Sequence, residues 1–462
     1  MLYPAFFRRL SSPDARLPGE RECHGAGHGQ ITGAPRSCVC IPTSYGIKAV
    51  FSLGIFMRIT RILSLLAAAS FVPAIASAQS TMPRPLPAEI LADAPDKMKA
   101  DWLRAHIVAQ GKVAGGMSFA FPKGFYRSRL ILLGESHGVA APQGLDLELL
   151  THLNQRIGLV HYLAEIDPVQ ADYFNRYLET GDEVLLKRVF DHWTNSGAQW
   201  GNRAFEDKVR AIRRLNATLP TARRIRFVGI DSVQDWRLVA EWIAGPGEPP
   251  AGILAAKAAN DRASAALTAL GEKPGHVAAE LRATLADIAA GQQRETVIFN
   301  NYARAVRGGK LGNRPAYGLW GLYHVMQAGV NKTQPFAARV AASDLPAASK
   351  IASIALLSLD SAVQIPVPFP DGVKRLRLTN FNIDGPFVMV KGAATLRAAS
   401  EPATITLFDT GARGSPIAAT DFGQITTSVG QGFVPDDPGP QARRLVQYVG
   451  VFRDSDWAAP RE

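Results

Sequence analysis

The sequence predicts an α/β fold: a mainly parallel central sheet flanked by helices, with a helical insert and β-rich C-terminal strands. Four short apolar stretches of β character each run into an acid or a histidine, in LILLGESHG, HYLAEID, IRFVGIDS and YGLWGLYH. Segments with apolar residues at helical spacing separate them. This alternation is typical of a parallel sheet that is covered by helices on both faces.

The first half of the chain gives three of these strands. DKMKADWLRAHIV predicts a helix, and RLILLGESH predicts a strand that leads into a helix over LDLELLTHLNQRIG. LVHYLAEID returns to strand character. Pro168 then follows Asp167, where a proline can begin a helix without losing a needed amide hydrogen bond. The long helical stretch that starts there ends in the third strand, RIRFVGIDS.

The second half begins with an Ala-rich segment over 235–310 that is helical by pattern. We predict a helical insert here, which either caps the site or packs on the sheet as a bundle. AYGLWGLYH supplies the fourth strand. KIASIALLSLDS, RLRLTNFN, FVMVKG and TITLFDTG are later strand candidates with no strong helix between them, and QARRLVQYVGVFRDSDW is expected to cover the sheet edge.

A secretory signal is predicted over 57–78. MRITRILSLLAAASFVPAIASAQS has two arginines at its start, an apolar core over 63–75 and a small-residue cleavage site, Ala76-Ser77-Ala78, before Gln79. The apolar core is shorter than the roughly 20 residues of a membrane span, although a retained anchor is the alternative. We therefore expect a periplasmic or secreted protein without membrane association beyond export.

Residues 1–56 lack a sustained hydrophobic period and are predicted to be either a start codon assigned too early or a disordered extension. All three cysteines of the chain, Cys23, Cys38 and Cys40, lie there, so disulfides and thiolate catalysis are excluded for the exported part. Their spacing fits no standard zinc pattern. The rest divides into a Pro-rich opening and helix over 79–129, an α/β core over 130–360 and a β-rich region over 361–462.

The charge argues against a nucleic-acid partner. Eight of the 51 basic and three of the 40 acidic residues precede Gln79, so the net charge falls from +11 to about +6 once they are removed. The remaining basic residues are scattered, and aromatic residues do not alternate with them as on nucleic-acid-binding surfaces. We expect a small-molecule substrate and no nucleic acid.

Acids and histidines follow the four strands, at the edge where the carboxyl ends of parallel strands meet. Because open α/β sheets bind ligands at this edge, these side chains are expected to converge on one crevice. They are Glu135, His137, Glu165, Asp231 and His324. The segment HWTNSGAQW, which contains Trp193 and Trp200, is a candidate for an aromatic wall.

The motifs that carry these residues resemble those of the erythromycin esterase family. The matching pieces occur in the expected order within 130–325. They are Gly134-Glu135-Ser136-His137-Gly138, Glu165 in LAEID, Gly229-Ile230-Asp231, Arg294-Glu295 followed by Asn301, and Leu319-Trp320-Gly321 leading to His324. At superfamily level the chain is also similar to the Tiki and ChaN-like proteins, which share a strand ending in Gly-Glu or Gly-x-x-His.

Two departures from the esterase pattern move the expectation from a macrolide esterase to a related hydrolase or binding protein. The esterases have one more residue between the acid and the histidine of the first motif, whereas this chain reads Gly-Glu-Ser-His-Gly. They also carry two histidines in a Trp-x-His-Asn-x-His pattern, of which WGLYH keeps only His324.

For a hydrolase, His137 is the predicted general base, because an imidazole accepts a proton near neutral pH. The resemblance places Glu135 and Glu165 beside it, one to orient the ring and the other to hold the attacking water. His324 would act as a second acid or base or as a donor to the oxyanion, and Arg294 as a cationic stabiliser. Direct attack by water is expected, since the exported part has no cysteine and no GxSxG motif.

Several structural roles compete with these assignments. Asp231 is expected to support its neighbours and not to react, and it or Glu135 could cap the helix after its strand. His324 could be a buried core histidine with its hydrogen bonds satisfied. Arg294 could pair with Glu295 or with another neighbour on an exposed helix.

The alternative function is that of a Tiki- or ChaN-like protein that binds a divalent metal or haem, or of a metal-dependent peptidase. His137, Glu135, Glu165 and His324 would be the ligands. No HExxH motif is present, and no cofactor is predicted for an esterase-like hydrolase. Substrate identity, metal dependence and oligomeric state stay open at this level.

Overall fold

The computed structural model describes residues 94–461 except 371, 380–387, 391, 420, 422–424, 428–432, 438 and 440–443. The predicted signal segment, the residues before it and the three cysteines lie outside the described residues. Where the structure describes the chain, no helix is both long and apolar enough to cross a membrane.

The predicted α/β fold is confirmed. Nine strands of the described residues form one sheet. They are β1 Ile107–Lys112, β2 Gly115–Phe119, β3 Leu130–Glu135, β4 His161–Tyr162, β5 Arg226–Phe227, β6 Ala316–Gly321, β7 Ile351–Leu359, β11 Thr404–Asp409 and β13 Tyr448–Arg453. Their order in the sheet is β2-β1-β11-β13-β7-β3-β6-β4-β5. Adjacent strands from β13 to β5 pair in parallel, and the remaining pairs are antiparallel.

Four more strands form two small antiparallel sheets in the second half of the chain. They are β8 Val363–Phe369 with β9 Gly372–Leu378, and β10 Val388–Val390 with β12 Ile425–Thr427.

Twelve helices lie within the described residues. They are α1 Lys97–Ala105, α2 Ala141–Ile157, α3 Pro168–Thr180, α4 Glu183–Asn195, α5 Arg203–Thr218, α6 Trp236–Ala244, α7 Ala251–Ala255, α8 Ala259–Leu270, α9 His276–Ala289, α10 Arg294–Arg307, α11 Phe336–Ala341 and α12 Ala393–Ala399. The predicted insert over 235–310 corresponds to α6 to α10.

Helix α3 shows how local sequence sets these bounds. Asp167 caps its first turn, accepting hydrogen bonds from the amides of Val169 and Gln170, and the Gln170 side chain accepts one from the Asp167 amide in return. Pro168 occupies the first helical position, as predicted. The helix ends at Gly181, which adopts a left-handed backbone with φ of 76°.

The sheet separates two apolar cores. Along β3, Ile131 and Leu133 face one core while Leu130 and Leu132 face the other, and all four are fully buried. Because side chains alternate across a strand, burial on both faces gives the continuous apolar run that identified this strand in the sequence.

The connections create a switch in strand order beside β3. The chain leaves β3 through α2 to reach β4, crosses to β5, and returns through the helical insert to β6, which lies between β3 and β4. It then passes to β7 on the other side of β3. The carboxyl ends of β3 and β6 are therefore neighbours, with Glu135 paired to Gly321.

The C-terminal expectations need correction. One helix, α12, interrupts the predicted run of strands, between FVMVKG and TITLFDTG. The segment expected to cover the sheet edge supplies β13, which lies inside the sheet between β11 and β7 with every residue buried. YVGVF, its first five residues, is a continuous run without a charged residue, as strands buried on both faces have. The two edge strands are β5 and β2, and the mostly exposed residues of β2 give no strand pattern in the sequence.

Candidate functional site

The candidate site lies at the carboxyl edge of the sheet, where β3, β4 and β6 end next to one another. Glu135 is the last residue of β3, and Gly321 is the last residue of β6. Glu165 follows the short strand β4, and its Oε2 accepts a hydrogen bond of 2.6 Å from the Gly321 amide. The structure therefore brings Glu165 onto the adjacent strand end.

Glu135 and His137 form a hydrogen-bonded pair. Glu135 Oε1 lies 3.0 Å from His137 Nδ1, and both side chains are about 5% exposed. Gln143 of α2 donates to the Glu135 carboxylate at 3.4 Å and 3.5 Å. A carboxylate accepts at Nδ1, so we assign the Nδ1–H tautomer to the neutral ring, which leaves the lone pair on Nε2.

The free nitrogen of His137 faces Glu165. His137 Nε2 lies 3.9 Å from Glu165 Oε2, and it is buried without a hydrogen-bond partner among the described residues. A Cβ at Gly321 would lie 3.1 Å from this nitrogen, so glycine leaves the space between the two side chains open. Trp200 packs against the same ring, with centroids 4.9 Å apart and the two planes tilted by 55°.

Arg294 joins two of the predicted acids. This residue begins α10, and its Nε and Nη2 donate to Asp231 at 2.9 and 2.5 Å. Nη2 also donates to Glu165 Oε1 at 2.6 Å. The Arg294 side chain is 24% exposed, whereas both carboxylates are buried. The partners of Arg294 are therefore Asp231 and Glu165, and not Glu295 as in the structural alternative.

His324 lies on the inner side of Glu165. Its Nε2 is 3.4 Å from Glu165 Oε1, and its Nδ1 is 2.8 and 3.1 Å from the two oxygens of Glu295. Burial opposes the imidazolium, but the charges of Glu295 and Glu165 outweigh it and raise the pKa of His324 to about 9. His324 is therefore a buried cation that contacts Glu165, not a free base.

Two cations determine the state of Glu165. Burial favours its neutral form, but His324 and Arg294 outweigh burial and hold the pKa of the Glu165 carboxyl well below its usual range. Burial disfavours the charged guanidinium, yet Asp231 and Glu165 raise the pKa of Arg294 further above its ordinary value. Glu165 is a carboxylate at neutral pH.

Asp231 supports this arrangement from behind. Its side chain accepts from Arg294 and from the Ser232 amide, while Asp235 is the residue that caps α6. Burial raises the pKa of Asp231, against the effect of Arg294. Neither Asp231 nor Glu135 caps a helix, so the helix-capping alternative is wrong for both.

A cleft of about 280 Å³ opens beside these residues. Its charged lining residues are Glu165, Asp231, Asp235, Arg237, Arg262 and Arg294. Its aromatic lining residues are Trp193, Trp200 and Trp236. The prediction that HWTNSGAQW contributes an aromatic wall is confirmed by Trp193 and Trp200. His137 is not itself a lining residue, but its neighbours Trp200 and Glu165 are.

Sequence reasoning missed two partners in the site. Glu295 holds His324 and also accepts from the Phe336 amide at 2.7 Å, although the sequence had suggested Arg294 as its partner. Gln143 supports Glu135 from the first turn of α2. The sequence indicates these partners only by their positions. Glu295 directly follows Arg294, and Gln143 lies in the first turn of the helix after the first motif.

The four alternative metal ligands do not form a ready metal site. Among the residues that the structure describes, no group of three or more His, Cys, Asp or Glu side chains is placed to hold a metal ion. The carboxylate of Glu165 is already engaged by the Gly321 amide and the Arg294 guanidinium.

No protein-family model matches the chain, and no curated protein matches it. Among solved structures it is similar to a Bacillus cereus protein, with a TM-score of 0.56 and 12% identity over 79% of this chain and 99% of that chain. It is also similar to a succinoglycan biosynthesis protein, with a TM-score of 0.51 and 10% identity over 79% and 98%. These likenesses show that the fold is shared.

Two weaker likenesses concern the families that the sequence resembles. An erythromycin esterase mutant in its open conformation gives a TM-score of 0.47 and 14% identity, over 72% of this chain and 91% of that chain. ChaN of Campylobacter jejuni, with cofacially bound heme, gives 0.26 and 11% over 54% and 90%. These values describe a distant structural relationship and not membership of a family.

Proposed function

We propose that this protein is an exported hydrolase that uses His137 to activate a water molecule against an ester or a related bond. One observation carries the proposal: the ring is held by Glu135 through Nδ1, while Nε2 is buried, unpartnered among the described residues and directed at Glu165 beside the cleft. A histidine oriented by a carboxylate with its other nitrogen free is the arrangement of a general base.

In the proposed reaction, His137 Nε2 removes a proton from water as the water oxygen attacks the substrate carbonyl. Glu135 stabilises the imidazolium that forms, and the Glu165 carboxylate 3.9 Å away adds to this effect. His137 then returns the proton to the leaving alkoxide. The products are a carboxylic acid and an alcohol.

Arg294 is the proposed donor to the developing oxyanion. Its Nε and Nη2 are occupied by Asp231 and Glu165, while Nη1 makes no hydrogen bond with the described residues. The side chain lines the cleft, so Nη1 is the donor that remains for a substrate oxygen. A preorganised donor of this kind contributes about 3 kcal/mol to the transition state.

Trp200 controls access to the base in this proposal. Its indole packs on the His137 ring and also lines the cleft. The substrate carbonyl enters where Trp200 and Glu165 meet, and a shift of the indole admits the water to Nε2. His324 holds Glu165 as a carboxylate and does not touch the substrate.

The test is a panel of ester, lactone and peptide substrates on the protein beginning at Gln79, with and without a chelator. The proposal expects ester or lactone hydrolysis that the chelator does not change. Loss of activity in chelator, or activity on peptides alone, would favour the metal-dependent alternative. The N-terminal mass of the mature protein tests export, because cleavage before Gln79 is expected.

A further inference from the structure

The cleft contains a cation that the proposed reaction does not use. Arg262 of α8 lines it together with Arg237 and Arg294. Arg294 is held by two acids, and Arg237 lies 3.3 Å from Glu241 with 72% of its side chain exposed. Arg262 has no ion pair with any described residue. Of the three arginines that line the cleft, it is the one that forms no salt bridge with a described residue.

The acids of the same cleft are engaged elsewhere. Glu165 and Asp231 hold Arg294. Asp235 caps α6 through the Leu238 amide at 2.9 Å and lies 3.1 Å from the His192 imidazole. Burial opposes the charged form of His192, but Asp235 and Glu241 outweigh it and raise the pKa of this imidazole. No acid lining the cleft is paired with Arg262.

One hydrogen bond fixes the Arg262 side chain. Its Nε donates to the Ala256 carbonyl at 2.6 Å, across the turn between α7 and α8. The two terminal nitrogens make no hydrogen bond with the described residues, and the side chain is half-buried. A guanidinium held at Nε presents a planar pair of donors, which matches the two oxygens of a carboxylate or phosphate.

We propose that Arg262 determines the specificity of the cleft by binding an oxyanionic group of the substrate, a carboxylate or a phosphate, remote from the bond that is cleaved. The inference rests on the proposed hydrolase function of the cleft. The tryptophans of the lining accommodate the apolar body of the substrate, and Arg262 on the helical insert binds its charged end. The insert then serves recognition while the sheet edge serves catalysis.

The kinetic test uses three esters matched in their acyl and alcohol parts, ending in a neutral group, a carboxylate or a phosphate. The wild-type protein should prefer the anionic esters. In Arg262→Gln the ratio of kcat/KM for anionic over neutral ester should fall about tenfold to a hundredfold, mainly through KM. Arg262→Lys should retain part of the preference, since it keeps the charge but loses the paired donors.

Arg282→Ala is the matched control. Arg282 lies in the same helical insert and also donates to backbone carbonyls, those of Gly271 and Lys273, but it does not line the cleft. Its variant should keep the wild-type ratio. An absent anion preference in the wild-type protein, or an unchanged ratio in Arg262→Gln, overturns the inference.

A binding measurement separates this inference from the proposed hydrolysis. Phenylphosphonate and benzoate are titrated against tryptophan fluorescence, with benzyl alcohol as the neutral probe. Both anions should bind the wild-type protein at least about tenfold more tightly than Arg262→Gln. If no ester is hydrolysed but this difference is found, the hydrolase proposal fails and anion recognition by Arg262 stands. Equal affinity in the two proteins, or no binding of either anion, overturns it.

Discussion

Replacement of His324 by glutamine should change how the stability of the protein depends on pH. The imidazole is fully buried between Glu165 and Glu295, which raise its pKa to about 9. In the unfolded chain a histidine has a pKa of ~6.5. The folded state therefore binds the proton more tightly, and His324 stabilises the fold most strongly below pH ~6.5. This contribution is lost as pH rises through about 9.

The size of the effect follows from the two pKa values. A difference of about 2.5 units corresponds to about 3 kcal/mol, at about 1.4 kcal/mol for each unit. His324→Gln cannot carry the charge, so the variant lacks this contribution at every pH. The difference in unfolding free energy between the two proteins should be largest near pH 6.5 and shrink by about 3 kcal/mol by pH 10.

Urea unfolding followed by tryptophan fluorescence at pH 6.5, 8, 9 and 10 measures this difference. Asp167, whose pKa burial raises to about 7, also titrates in this range, but it is present in both proteins and contributes equally to them. His276→Gln, at an exposed position of the helical insert, is the control and should cost little stability. A deficit for His324→Gln that is equal at pH 6.5 and pH 10 would refute the reasoning.

Two further substitutions test the packing around the site. Gly321→Ala should lower kcat by up to about a hundredfold, because the new methyl group would lie 3.1 Å from His137 Nε2. It should cost little stability, since the backbone φ of −56° suits alanine. Steady-state kinetics and thermal unfolding measure the two effects, and a wild-type kcat would contradict the first. Lys208→Met should destabilise the fold by about 3–5 kcal/mol, since it leaves the buried Asp146 carboxylate without its cation at 2.5 Å. The double variant Lys208→Met/Asp146→Asn should recover most of the lost unfolding free energy. An equal or greater loss in the double variant would show that the ion pair is not the cause.

The strands that carry the site could be predicted because they are buried on both faces. LILLGE and AYGLWG each give six consecutive buried residues, which is why an apolar run identified them. HYLAEID and IRFVGIDS were read as full strands, but only His161–Tyr162 and Arg226–Phe227 pair in the sheet. Beyond them, single backbone hydrogen bonds still join the segments, from Leu163 to Tyr317 and from Val228 to Tyr162, but no regular ladder continues.

The hairpin β1–β2 could not be predicted in the same way. Its second strand, GGMSF, is mostly exposed and begins with two glycines of positive φ, so it has neither an apolar run nor an alternating pattern. The position of β13 inside the sheet was also hidden. Sequence indicates a buried strand, but the neighbours of that strand depend on long-range pairing with β7 and β11.

The sequence predicted that the site residues lie close together, but it did not predict which charged side chains pair with each other. Parallel strands place their carboxyl ends at one edge, which brings Glu135, Glu165 and Gly321 together. Arg294 and Glu295 are successive residues of α10, and successive side chains on a helix point about 100° apart, so the two reach different partners. Arg294 consequently reaches Asp231 and Glu165, while Glu295 turns to His324.

The rate of hydrolysis by His137→Asn, on whichever ester the wild-type protein cleaves, tests the central claim most directly. His276→Asn, at an exposed position of the helical insert, serves as the matched control. With both variants folded by circular dichroism, kcat should fall about a hundredfold to ten-thousandfold in His137→Asn and stay at the wild-type value in the control. Wild-type turnover in His137→Asn would contradict the assignment of this histidine as the base.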